Sequence, residues 1–410
     1  MPDQNAPLIR HTGVAYFPTA FLARFPFAMM VVGVLTLVVE ARGSVGLGGL
    51  TSAMVGIGTA CLGPLIGAAA DRFGQRPVVL AAGLVNGLLL GAFAWIVYSP
   101  APEAGVLAAA FLVGATAPQV APMSRARLVG IIGTRVGPAR RGRTFERTMS
   151  YESAADETVF VFGPFLVGIL AASLGPWAPI VGAGILEVVF VTAFALHPSG
   201  RLAVGGDGTR PTSPARELAH PAILVVVTGI LGVGFFFGTM LTSLTAFMAD
   251  RGVGEQAGLV YGVMGIGSAA FALGVALLPA RFTKRWRWIA FGALMLAGTL
   301  VLPAVGDIAG ITAALAVIGI GIGPVLVTQY ALGAERSPAG RSATVMTMLG
   351  SAVIVGQSLA AAATGWVAEQ FGTGAALTMP IIAAAIVVAA GVANAAITGT
   401  SRPAPAEAGR

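Results

Sequence analysis

Twelve long, predominantly apolar stretches run along the whole chain, at 14–40, 47–70, 77–98, 104–124, 148–172, 177–196, 222–249, 256–280, 287–305, 308–332, 341–368 and 373–398. Each is long enough to cross a hydrocarbon layer about 30 Å thick as a helix. Such a layer offers no water to free N–H and C=O groups, so a spanning chain must be helical or a closed barrel. A barrel would show short segments of alternating polarity instead. The residue make-up agrees, with 56% hydrophobic and only 10% charged residues, where a soluble chain carries about 25% charge. Many of the 57 glycines fall inside the apolar stretches, and small residues let helix backbones approach closely in lipid. The expected fold class is therefore an all-α polytopic membrane protein with twelve transmembrane helices.

An even number of spans puts both termini on one side. Of the 24 Lys and Arg residues, 21 fall on that side, Arg42 and Arg251 fall opposite, and Arg24 lies inside a span. Positive residues mark the cytoplasmic side, so the expected location is the inner (plasma) membrane with cytoplasmic termini. Seven arginines from Arg125 to Arg147 form an expected basic loop between spans 4 and 5. The net charge of +7 is thus a topology signal, and nucleic acid is not an expected partner. The longest polar interruption, "HPSGRLAVGGDGTRPTSPARELAHP", has the Gly, Pro and charge of a flexible linker. It divides the chain into an N-terminal six-helix bundle (1–196), a cytoplasmic linker (197–221), a C-terminal six-helix bundle (222–400) and a disordered tail (401–410).

The halves are related. Residues 49–76 align without gaps with 258–285, matching Gly56-Ile57-Gly58 to Gly265-Ile266-Gly267, Arg72-Phe73 to Arg281-Phe282, and Arg76 to Arg285. A repeat of six-span halves with a substrate between them is a transporter architecture. The stretch "GAAADRFGQRP" then supplies Gly67, Asp71, Arg72, Gly74 and Arg76 in the pattern Gly-x-x-x-Asp-Arg-x-Gly-x-Arg between spans 2 and 3. Motif, position and span count together resemble the major facilitator superfamily, and within it the twelve-span drug and metabolite exporters that act as proton antiporters. The resemblance implies two pseudo-symmetric six-helix bundles. It also implies a conformational latch at this motif, in which Gly67 admits a neighbouring helix. Asp71 would face the N-terminus of span 11, with Arg341 as an additional partner. The exporters' span 5 motif is partly kept as Gly163, Pro164 and Gly168, with Val167 where another Gly would stand. The Arg that exporters carry in span 4 has no counterpart in "AAAFLVGATAPQV".

Ionisable residues inside a span mark functional sites. Arg24, Asp156 and Glu157 fall at matching depth, so Arg24 is expected to pair with one of these carboxylates. Glu152, one turn into span 5, is expected to reach interfacial water. Asp156 and Glu157 are about 100° apart around a helix, so one pairs with Arg24 while the other faces another neighbour or the cavity. Two readings stay open. One carboxylate carries a proton during transport, or the pair is a static link between spans 1 and 5. Glu187 lies mid-way along span 6.

By the family resemblance, spans 1, 4, 7 and 10 line a central cavity and offer Phe21, Phe25, Gln119, Phe236, Thr239, Ser243, Gln329 and Tyr330. An aromatic surface with few polar groups suits bulky amphipathic compounds. The expected function is proton-coupled efflux of hydrophobic or amphipathic drug-like compounds or metabolites by alternating access. The expected form is a monomer whose partners are a small-molecule substrate, protons and the lipid bilayer. A sugar or nutrient transporter is the first rival, and a non-transporting membrane sensor the second. No metal-ligand spacing, phosphate-cradling loop or nucleophile arrangement points to an enzyme, a metal or a cofactor, and the proton gradient would be the energy source.

Overall fold

A computed structural model describes residues 6–203, 212–253, 256–279 and 281–399. The expected tail at 401–410 and residues 204–211 of the expected linker lie outside the described residues. Among those described, 12 helices are long and apolar enough to cross a membrane. They are Tyr16–Arg42, Gly46–Phe73, Gln75–Tyr98, Glu103–Arg135, Pro138–Leu174 and Ala178–Leu196 in the first half. The second half has Pro221–Ala249, Ala257–Leu277, Lys284–Ala304, Ile308–Glu335, Ser342–Phe371 and Thr373–Ile397. These are spans 1 to 12.

The internal repeat reappears as packing. Gly58 of span 2 lies so close to span 4 that a Cβ would stand 2.6 Å from the Ala115 nitrogen. Its repeat mate Gly267 of span 8 lies against span 10, where a Cβ would stand 3.5 Å from Gly319 Cα. The same glycine thus seats the second helix of each bundle on the fourth. The two bundles meet chiefly where span 2 runs along span 11 and span 5 along span 8.

Two spans are broken in mid-membrane, both in the first half. Span 1 consists of Tyr16–Leu22 and Phe25–Arg42, separated at Ala23 and Arg24. Pro26, just inside the second segment, has no N–H for the preceding turn. Span 4 consists of Glu103–Thr116 and Val120–Arg135. Ala117, with ψ 120, has left the helical region as a residue before proline tends to. The equivalent spans 7 and 10 run unbroken as Pro221–Ala249 and Ile308–Glu335.

The basic loop expected between spans 4 and 5 is helix instead. Span 4 continues to Arg135, and span 5 starts at Pro138 and runs 37 residues to Leu174. That is roughly 55 Å at 1.5 Å per residue, longer than the hydrocarbon layer, so its first turns with exposed Arg141 and Arg143 project beyond it. Arginine is a good helix former, so a basic run need not be a loop. Arg125 and Arg127 are buried.

Candidate functional site

The break in span 1 leaves Arg24 facing span 5. Its guanidinium donates to Glu152 Oε2 at 2.5 Å, to the Glu152 backbone carbonyl at 3.1 Å and to Asp156 Oδ1 at 3.0 Å. The other Asp156 oxygen accepts from Arg125 at 2.6 Å. Arg125 in turn lies over the Tyr330 ring, 3.8 Å from its centre. Ser124 donates to Glu152 Oε1 at 3.0 Å and meets the Tyr16 hydroxyl at 2.8 Å. Spans 1, 4, 5 and 10 are therefore tied together by one network, in which two guanidiniums balance two carboxylates. Buried charges persist only when paired in this way.

One expectation needs correction here, and the choice left open between Asp156 and Glu157 is resolved by the geometry. Glu152 is not interfacial but fully buried, and it shares Arg24 with Asp156. Residues four apart lie on one helix face, so a guanidinium that reaches Asp156 also reaches Glu152. Because span 5 begins at Pro138, Glu152 also lies far deeper than a start near residue 148 implied. Glu157 is not a partner of Arg24. It points round the helix toward Ser268 and Tyr261 of span 8, in the interface between the bundles, and is 8% exposed. Among the described residues it forms no ion pair.

Beside the network lies a cavity of about 680 Å³. Arg24, Asp156, Arg125, Gln119 and Tyr330 form its floor. Its walls extend away from the termini and are mostly apolar, with Val31, Leu35, Leu50, Leu241 and Ile354 among them, joined by Phe27, Phe160 and Ser358. Of the residues expected to line it, Gln119 and Tyr330 do so, and the others do not. Gly234 and Gly238 press span 7 onto span 11, where a Cβ on Gly234 would stand 2.9 Å from Val353 Cα. That contact fixes the helix rotation and turns Phe236, Thr239 and Ser243 into the bundle interior. Phe21 and Phe25 meet edge to face across the span 1 break, 5.4 Å between centres. Gln329 is fully buried against span 7 at Gly229.

At the opposite end, toward the termini, the bundles are closed. Asp71 accepts from Ala343 N at 3.0 Å, Thr344 N at 2.7 Å and Thr344 Oγ1 at 2.7 Å. It thus caps span 11 from the other bundle, at a helix end that favours negative charge. Gly67 makes the approach possible, since a Cβ there would stand 2.8 Å from the Ala343 carbonyl oxygen. Gly74 turns the chain into span 3 with φ 89, a conformation suited to glycine. Arg341 bonds the Ser213 carbonyl at 2.9 Å and adds its charge near Asp71. Arg72 is exposed over its neighbour Phe73, and Arg76 is half-buried. Glu146 of span 5 adds ion pairs to Lys284 at 2.6 Å and Arg287 at 2.8 Å across the halves. In span 5, Gly163 packs on Ala28 of span 1, while Pro164 and Gly168 face outward.

Arg125, Glu152, Ser124 and Tyr16 were missed as site residues. Glu152 was signalled by its four-residue spacing from Asp156. Arg125 had a weaker signal, the apolar "LVGII" that follows it. At the terminal end, buried Arg127 donates to Gln75 and to the Phe194 carbonyl, each at 3.0 Å. His197, just beyond span 6, is held below the usual histidine range by burial and then by Arg127.

The Major Facilitator Superfamily model matches residues 16–361. Among solved structures, a bacterial homologue of the iron transporter ferroportin in an outward-facing state aligns with TM-score 0.75 and 16% identity, over 97% of this chain and 100% of that one. The human organic anion transporter MFSD10 (TETRAN) aligns with TM-score 0.71 and 15% identity, over 95% of this chain and 100% of that one. A search of curated protein sequences finds no match.

Proposed function

The chain belongs to the major facilitator superfamily, and from that premise we propose that it is a proton-coupled secondary transporter that exports amphipathic small molecules by alternating access. It acts as a monomer in the inner (plasma) membrane with both termini in the cytoplasm. The closed end is then the cytoplasmic gate, held by the Asp71 latch, and the cavity faces outward. The N-terminal bundle (1–196) and the C-terminal bundle (222–400), joined by the cytoplasmic linker, are the two bodies that rock against each other.

One observation carries the coupling. Arg24 and Arg125 are matched by Glu152 and Asp156, which leaves Glu157 as the extra carboxylate, packed between the bundles. An uncompensated buried charge is disfavoured by several kcal/mol, so Glu157 carries a proton while the interface is shut. Water in the cavity reaches Asp156, whose side chain is 18% exposed, and a proton taken up there passes to its neighbour. It leaves to the cytoplasm when the inner ends of spans 5 and 8 separate, and the substrate moves the other way. The apolar walls hold the substrate body, and Gln119, Tyr330 and the arginines orient its polar end. The proton gradient is the energy source.

A second reading is export or import of an amphipathic anion. Arg24 and Arg125 both line the cavity, and the similarly folded MFSD10 is an organic anion transporter. Protonated Asp156 would leave two guanidiniums to one carboxylate, so anion and proton would travel together. Proteoliposomes with an imposed pH gradient separate these readings, using lipophilic dyes, organic anions and sugars as candidate substrates. Export predicts dye flux against the proton flux, lost in Glu157→Gln and Asp156→Asn. Full gradient-driven transport in both variants would remove the coupling scheme, and absence of any flux in the wild type would favour a sensor.

A further inference from the structure

Behind the two helix breaks lies a buried carboxylate that this scheme does not use. Glu187 of span 6 is 2% exposed, and its Oε1 has no hydrogen-bond partner. Asn86 of span 3 is fully buried. Its amide nitrogen donates to the Val113 carbonyl at 2.5 Å and to Thr116 Oγ1 at 2.8 Å, which leaves Oδ1 as an acceptor with no donor. Both side chains line one small void, closed by Ala23 and Pro26 of span 1 and by Pro118 of span 4. Span 6 widens into a π-helical turn over Glu187–Val191, a feature that often accompanies functional sites.

The surroundings restrict what this void can hold. The groups that span 1, span 3 and span 4 turn toward it are apolar or amide, with no titratable or charged side chain among the described residues. The nearest cation on span 1, Arg24, is engaged with Glu152 and Asp156. The void has no room for a water-sized sphere, so neither a water nor a hydrated metal cation fits. A proton needs no volume. Placed on Glu187, it puts an O–H donor into the void that Asn86 Oδ1, an acceptor without a donor, also lines, and it removes a charge that nothing else there compensates.

We propose that Glu187 is a second proton-binding site, loaded in this conformation and opened to the cavity when the breaks in spans 1 and 4 move. Ala23, Phe27 and Pro118 border both the void and the cavity, so they form the partition between them. The coupling role of this proton rests on proton-driven transport by the chain, whereas its presence on Glu187 does not.

The test is infrared difference spectroscopy of the full-length protein in lipid nanodiscs at neutral pH, read at the carbonyl stretch of protonated carboxyl groups. Glu187→Gln should lose one component of that band and Glu157→Gln a different one. Asn86→Leu, which keeps the carboxyl group, should shift the Glu187 component to higher frequency. Phe27→Ala should speed exchange of that component in deuterated buffer. A band unchanged by Glu187→Gln would overturn the proposal, and if that variant does not fold, an unshifted band in Asn86→Leu would do the same. The proton-to-substrate ratio in proteoliposomes should be one proton lower in Glu187→Gln. An unchanged ratio would refute the coupling role. A wild type that shows no gradient-driven flux at all would sink the proton-coupled export reading, while the infrared result would still decide whether Glu187 is loaded.

Discussion

Asp71→Asn should open the terminal end of the molecule. The Asp71 carboxylate accepts three bonds from the first turn of span 11, at 2.7–3.0 Å. Bonds to a charged group contribute about 1.5–3 kcal/mol each and neutral ones about 0.5–1.5. The helix end adds about 0.3–1 kcal/mol for the charge itself. Asn keeps one acceptor oxygen and replaces the other with a donor that faces backbone N–H groups. Because Asp71 is only partly buried, solvent screening reduces these figures, and a net loss of about 2 kcal/mol is a conservative sum. At 1.4 kcal/mol per tenfold, the closed-to-open ratio should fall about thirtyfold. The assay is electron–electron distance measurement between spin labels on Arg143→Cys and Arg281→Cys, two exposed sites at this end on different halves, with Cys61 replaced by Ser. Asp71→Asn should add a longer-distance population. Gly67→Val should act in the same direction, since its Cβ would stand 2.8 Å from the Ala343 oxygen and 3.0 Å from Thr344 Cα. An unchanged distribution in Asp71→Asn would refute the electrostatic reasoning. If Gly67→Val alone opened the protein, packing rather than charge would hold the latch.

Other consequences follow from the network and the cavity. Arg24→Met strands Glu152, which is fully buried, and should lower stability by about 3–5 kcal/mol. The double variant Arg24→Met with Glu152→Gln should recover most of that loss in thermal unfolding in detergent. Ala362→Trp places a large side chain at an exposed position of the cavity wall, and should block flux with little change in melting temperature. Phe236→Ala should do the reverse, destabilising by about 3–5 kcal/mol while leaving the range of transported compounds unchanged, because Phe236 is fully buried in the bundle. Tyr330→Leu removes the ring under Arg125, and should weaken substrate binding by the equivalent of about 0.5–2 kcal/mol, read as a higher half-saturation concentration.

What could be read without the structure divides along a physical line. Lipid imposes a one-dimensional rule on a chain, so span number, spacing and the repeat of Gly58 in Gly267 stand in the sequence itself. The Asp71 contact could be anticipated too, because it joins a helix end to a charge carried by a spaced motif. Helix rotation could not. Span 7 offers Phe236, Thr239 and Ser243 to any neighbour, and only the glycine contacts with span 11 decide that Leu241 faces the cavity instead. Span ends were equally hidden where charge and helix coincide. The basic run from Arg125 to Arg147 contains two buried arginines at one end, Arg125 paired with Asp156 and Arg127 bonded to neutral groups, and exposed arginines at the other, and composition treats them alike. The pairing of Arg24 with both Glu152 and Asp156 lies between these cases. The four-residue spacing on one helix was legible, but the depth of Glu152 depended on where span 5 begins. That start lies at Pro138, because a helix continues into water where its residues favour helix. A site built from charges inside a membrane is therefore legible in its membership sooner than in its pairing, and it is the pairing that leaves Glu157 without a counter-charge.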